Sequence, residues 1–130
     1  MKKMLLMLVL VLSLLGGCSG GGDTAEKVFG DMAANLREMS SILASVTDEA
    51  SATAAVPRIE AVRARMRDCA SRARTVRMPD AATEQRLNAS SQAVMAEVMP
   101  TIAAAQARLA AQPELMAILA PALQGMENDL

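Results

Sequence analysis

The chain of 130 residues contains no histidine, no tryptophan, no tyrosine and a single phenylalanine, Phe29. Imidazole is the usual general base, proton shuttle and metal or haem ligand, so its absence removes the common catalytic triads, the usual zinc sites and proximal haem ligation. With one ring in the whole chain there is no platform on which bases or sugars could stack, which argues against nucleic-acid readers and aromatic-lined carbohydrate clefts. No paired-carboxylate spacing and no glycine-rich phosphate loop is visible. These absences lead to the expectation of a non-enzyme with no catalytic residue, no metal, no cofactor and no nucleic-acid partner. The length allows one domain.

Lys2 and Lys3 are followed by an apolar run, Met4 to Leu15, and then by Gly16, Gly17 and Cys18. Positive charge, a short apolar stretch and small residues in that order are the layout of a secretory signal peptide. A transmembrane helix wants roughly 20 apolar residues, and this run has 12 before two glycines interrupt it. The sequence Leu15-Gly16-Gly17-Cys18 resembles the lipobox of bacterial lipoproteins, in which a small residue precedes the cysteine that receives diacylglycerol before cleavage. That resemblance implies that residues 1–17 form a signal peptide, carried as a helix, and that Cys18 becomes an acylated N-terminus. It implies an exported protein held on a membrane through palmitate-like chains, each buried CH₂ adding ~0.8 kcal/mol. In cells with two membranes, Ser19 after the cysteine implies the outer membrane, with the domain facing the periplasm.

Ser19 and Gly20 to Gly22 read as a short flexible tether, so that residues 18–22 link the lipid to a domain over 23–130. Asp23 with Glu26 fits an Asp variant of the capping box, and a helix is expected from Asp23 to Val46. Its ladder, Val28, Met32, Leu36, Met39, Leu43 and Val46, advances in steps of three and four residues, one stripe of an α-helix. The polar stretch Thr47 to Thr53 precedes a second helix that begins between Asp48 and Val56, with Pro57 suited to a first turn. Ile59, Val62, Met66, Cys69, Ala73 and Val76 form its seam, which marks Cys69 as a small buried core residue. An acylated Cys18 could not pair with Cys69 in a disulfide, so Cys69 is expected as a lone thiol.

Met78-Pro79-Asp80 ends the second helix, and Asp80 offers an N-cap to a third that carries Leu87, Ser91, Val94, Val98, Ile102, Ala105 and Leu109 toward Gln112. Pro100 falls inside it and predicts either a kink near residues 96–100 or a break. Gln112-Pro113-Glu114 opens a short last segment with Leu115, Met116, Ile118 and Leu119, limited by Pro121 and Gly125, which suggests a cap over the open end. No strand pattern appears. The fold class is therefore all-α, an antiparallel three-helix bundle with a short C-terminal fourth helical segment.

Charge is unevenly placed: residues 23–49 carry −4, residues 58–77 carry +5 and residues 80–130 carry −4. At ~100° per residue, Arg63, Arg67 and Arg74 fall on one side of the second helix's apolar stripe and Arg58, Arg65 and Arg72 on the other. As bundle chemistry, these arginines should pair with Asp31, Glu38, Glu84 and Glu97 on the acidic neighbours. As a binding feature, the row Arg63, Arg67 and Arg74 would suit the phosphates of an anionic lipid or the carboxylates of an envelope glycan. Met95 and Met99, one turn apart, could offer thioethers to Cu(I), although their stripe is that of ordinary core packing.

The layout loosely resembles the four-helix haem carriers of the cytochrome b562 type, but the histidine ligand is missing and Met32 alone would not hold the cofactor. The mature domain otherwise resembles small helical bacterial lipoproteins. What this implies is a membrane-anchored envelope protein with a non-enzymatic structural or protein-interaction domain, its partners an envelope protein or a second copy. The alternative is a binding protein for an anionic lipid or envelope glycan.

Overall fold

The computed structural model describes residues 23–126, all of them helical or in short connections. The expected signal-peptide helix, Cys18 and the tether lie outside the described residues. Four helices follow in order: α1 (Ala25–Ser45), α2 (Glu49–Ala73), α3 (Ala81–Ala110) and α4 (Pro113–Leu123). The all-α bundle is therefore as the periodicity predicts, and no strand occurs among the described residues.

Local sequence sets each start. Thr24, not Asp23, is the N-cap of α1, its hydroxyl accepting from the Lys27 amide at 3.2 Å. Asp23 is withdrawn from capping because an arginine of α2 engages its carboxylate. Asp48 caps α2 through a reciprocal box with Ser51: Asp48 Oδ1 accepts from the Ser51 amide at 2.8 Å, and Ser51 Oγ accepts from the Asp48 amide at 3.0 Å. Each contact satisfies a donor that the first helical turn leaves without a partner. Asp80 Oδ1 accepts from the Thr83 amide at 2.7 Å and starts α3. Gly125 closes the last turns at φ 79°, the left-handed conformation that favours glycine.

Two prolines lie inside helices. Pro57 is well past the first turn of α2, and Pro100 is within an uninterrupted α3, so the break considered for that helix does not occur. Each removes the donor for the carbonyl four residues earlier, Thr53 and Ala96. Both those residues and both prolines are exposed, so water can serve the released carbonyls. Pro121 likewise falls within α4 instead of ending it.

Ion pairs fix the helix directions. Glu38 of α1 meets Arg65 of α2 and Asp31 meets Arg72, so these helices are antiparallel. Arg37 meets Glu97, and the carbonyls of Leu43 and Ala44 meet Arg108, so α1 and α3 run parallel. α1 packs on both α2 and α3, whereas α4 packs mainly on α2 and less on α3. The fourth helix therefore closes the bundle on the side away from α1. It is not a lid across the end, because Ala122 reaches Arg63, about 21 Å down α2 at 1.5 Å per residue.

Every apolar ladder position anticipated for α1, α2 and α3 is buried, as is Val76 just beyond α2. α1 additionally buries Ala33, Asn35, Ser40 and Ile42, because it meets a neighbour on two sides. On α4, Leu115, Leu119 and Ala122 face the core while Met116 remains 38% exposed. Replacing Leu119 by Ala should leave a cavity and cost about 2–5 kcal/mol of stability. Met116→Ala should stay within about 0.5 kcal/mol. Urea unfolding followed by helical circular dichroism checks both, and equal effects of the two changes would contradict the packed role of α4.

Candidate functional site

The two arginine flanks of α2 do different things. On the flank toward α1, Arg72 is a node: its Nε and Nη2 grip the two Asp23 oxygens at 2.8 and 2.9 Å, and Nη2 also reaches Asp31 at 2.9 Å. Asp68, one turn back on α2, lies 3.4 Å from Nη1. The paired guanidinium hydrogen bonds hold the Asp23 carboxyl down, from its ordinary 3.8 to about 2, against an opposing push from burial. Lys27 adds a contact at 3.4 Å that acts in the same direction. Reciprocally, Asp23 and then Asp31 raise Arg72 well above its ordinary value. Arg65 joins Glu38 at 2.7 Å on the same flank.

The opposite flank carries the sequence-predicted binding row. Arg63 is half-buried and donates from Nη1 to the Ala122 carbonyl at 2.6 Å, capping the C-terminus of α4 from a neighbouring helix. Arg67 and Arg74 are exposed, and Arg74 is the C-cap residue of α2. The three share a side of α2, but Arg63 is committed to α4, so they do not form one uniform surface row. Arg74 is instead grouped with Arg77 and Met78, all exposed in the connection between α2 and α3. Among the described residues no carboxylate pairs with Arg58, Arg74 or Arg77. Cys18, the expected lipidation residue, lies outside the described residues.

Glu97, expected to pair with an arginine of α2, binds Arg37 of α1 instead. The guanidinium forks onto it, Nε at 3.0 Å from each oxygen and Nη2 at 2.9 Å from Oε2. The reason is topological, since α3 has its long interface with α1. The hydrogen bonds from Arg37 lower the Glu97 carboxyl, and Arg37 is raised in turn. Glu26, which the sequence offered only as a cap, lies 3.8 Å from Arg86. Arg108 was not singled out by periodicity, yet its Nη2 donates to the carbonyls of Leu43 and Ala44 at 3.0 and 3.2 Å. The last turn of α1 contains no basic residue of its own. A cation at that end answers both the unsatisfied carbonyls and the negative end of the helix dipole.

Cys69 is 2% exposed, and the Asn35 side-chain amide donates to its sulfur at 3.6 Å. Burial pushes the thiol up, outweighing the opposing pull of Arg72. A buried thiol with a raised pKa is a poor nucleophile, as the core reading of Cys69 requires. Met95 and Met99 are half-buried on α3, and among the described residues no group of three Cys, Asp or Glu side chains could hold a metal ion.

The arrangement can therefore display guanidinium groups and bind helix ends together. Two outcomes follow. Asp23 contributes stability above its unfolded pKa and loses it as the pH falls toward its folded value. Stability should thus drop between about pH 4 and pH 2, and more steeply in the native chain than in Asp23→Asn, as read by denaturation midpoints across that range. Parallel curves would remove Asp23 from the balance. Cys69 should react with iodoacetamide at least about a hundredfold more slowly in the folded chain than in denaturant, since both access and thiolate fraction are low. No protein family, curated protein or solved structure matches the chain.

Proposed function

We propose that this chain is an exported lipoprotein, acylated at Cys18, whose helical bundle serves as a non-enzymatic structural or protein-interaction module at the surface of the cell envelope. The observation that carries the proposal is the order Lys2, Lys3, Met4 to Leu15, Gly16-Gly17-Cys18, placed directly ahead of a bundle whose first helix begins at Ala25. Among the described residues no helix is long and apolar enough to cross a membrane, so attachment rests on the segment before Asp23. Two or three acyl chains on one residue hold a protein on a bilayer stably, where a single chain does so only marginally. Ser19 supports placement on the outer membrane facing the periplasm in a cell that has two membranes. The bundle's buried thiol and its arginines engaged in helix capping and ion pairing support a module that holds shape over one that performs chemistry.

A second reading, binding of an anionic lipid or envelope glycan, draws on the exposed Arg67 and Arg74. Cross-linking in intact cells separates the two: one dominant protein partner supports the interaction module, and attachment only to lipid or glycan supports the second. The primary test is the intact mass of the membrane-extracted protein. The expected product begins at Cys18 and carries diacylglycerol, and Cys18→Ser should abolish both the modification and membrane retention. An unmodified Cys18 on a membrane-bound chain would refute the anchor.

A further inference from the structure

The connection between α2 and α3 sits at the same end of the bundle as Asp23, the first described residue. Arg72, in the last turn of α2, grips Asp23 at 2.8 and 2.9 Å, so residues 74–80 emerge on the same side of the bundle as Asp23. Four residues separate Cys18 from Asp23. Five Cα steps span at most about 18 Å. If Cys18 is acylated, Asp23 lies within that distance of the lipid-bearing residue, and the connection lies beside Asp23.

Its composition fits such a place. Arg74 and Arg77 are exposed without a carboxylate partner among the described residues, and Met78, 51% exposed, is the most exposed large apolar side chain described. Of the carboxylates at this end, Asp23, Asp31 and Asp68 are engaged by Arg72, while Asp80, which caps α3 through the Thr83 amide, and the exposed Glu84 keep their charge on the α3 side of the connection. Elsewhere at this end Glu26 is answered by Arg86. Two exposed guanidiniums just ahead of an exposed thioether form a small basic and apolar tip, with the cations suited to phosphate oxygens and the side chain suited to the acyl boundary.

We propose that Arg74, Arg77 and Met78 dock onto anionic phospholipid headgroups of the membrane that holds the acylated Cys18. The inference rests on the lipoprotein reading and deepens it. A contact too weak to recruit a soluble protein suffices here, because the tether makes it intramolecular and supplies a high effective concentration of lipid. The consequence is an orientation: the bundle stands on the end formed by the α2–α3 connection. The far end of α2, about 38 Å away for 25 residues, then carries the α1–α2 turn and the start of α4 into the solvent.

The test uses the full-length acylated protein in vesicles of phosphatidylcholine alone or of an equimolar phosphatidylcholine and phosphatidylglycerol mixture. A nitrobenzoxadiazole dye is placed on Met78→Cys or, at the opposite end, on Met116→Cys, the buried Cys69 being protected from labelling. A blue-shifted, lipid-quenched signal from position 78 but not 116, on the mixed vesicles only, is the expected result. Arg74→Glu with Arg77→Glu should lower the docked population at least about fivefold for each arginine, with acyl anchoring and thermal unfolding unchanged. A dye at 78 that stays in water on both vesicles, or shifts equally with and without the two arginines, would overturn the proposal. So would equal shifts at 78 and 116. Intact mass scores the anchor separately. Should Cys18 prove unmodified, the lipoprotein reading fails and the docking falls with it, whereas an acylated chain whose dye at 78 stays in water overturns the docking alone.

Discussion

Because α1 buries a face toward α2 and another toward α3, the two longest helices are organised through it, and the pattern of charge pairing follows. Asp23, Asp31 and Glu38 look one way, to Arg72 and Arg65, while Arg37 and the terminal carbonyls of α1 look the other way, to Glu97 and Arg108. By net charge alone, an acidic first helix between a basic second helix and an acidic third leaves α3 repelled. Placing Arg37 and Arg108 at the α1–α3 contact resolves the conflict with two cations. Exposed pairs of this kind contribute little energy singly, typically 0–1 kcal/mol each, but they discriminate between alternative helix orders.

Two arginines of this bundle act as helix terminators. Neither α1 nor α4 has a basic residue in its last turn, and each receives a guanidinium from a neighbouring helix, Arg108 for α1 and Arg63 for α4. Five fixed donors on one planar group make such capping across a helix interface feasible where a lysine would reach fewer acceptors. The arrangement is costly as well as useful, since Arg108 Nε is buried without a hydrogen-bond partner among the described residues. The core these contacts enclose is built from aliphatic, Ala and Met side chains without any fully buried ring, Phe29 being only half-buried. The docking of helix ends therefore matters more here than in a bundle wedged together by aromatic residues.

Much of this was legible in the sequence. A helix packed along one stripe betrays itself in steps of three and four, so the seams of α2 and α3 could be read residue by residue, down to the small Ser91 and Ala105. The second face of α1 was hard to read, because Ile42 is its one strongly apolar residue and Ala33, Asn35 and Ser40 add little or no hydrophobic signal. Asp23 was misread as a cap because nothing local shows that Arg72, 49 residues away, will claim its carboxylate. The partner of Glu97 and the resting place of α4 depend on which helices are neighbours, and periodicity is silent about that. For the candidate site, the sequence identified helix two as the basic element. It could not divide that helix's arginines into those committed to other helices and those left exposed at the α2–α3 connection.

The prolines in the two longest helices bear on how the bundle breathes. An imino nitrogen contributes no rung to the ladder of amide protons, so Pro57 and Pro100 each leave one rung out of a helix that otherwise runs on without a break. The 25 residues of α2 and the 30 of α3 therefore each carry one weakened step along their length. That step is where the turns from Glu49 to Val56 and those from Thr101 to Ala110 would part first from the rest of their helices, and the Asp48–Ser51 box and Arg108 are what hold those turns in place.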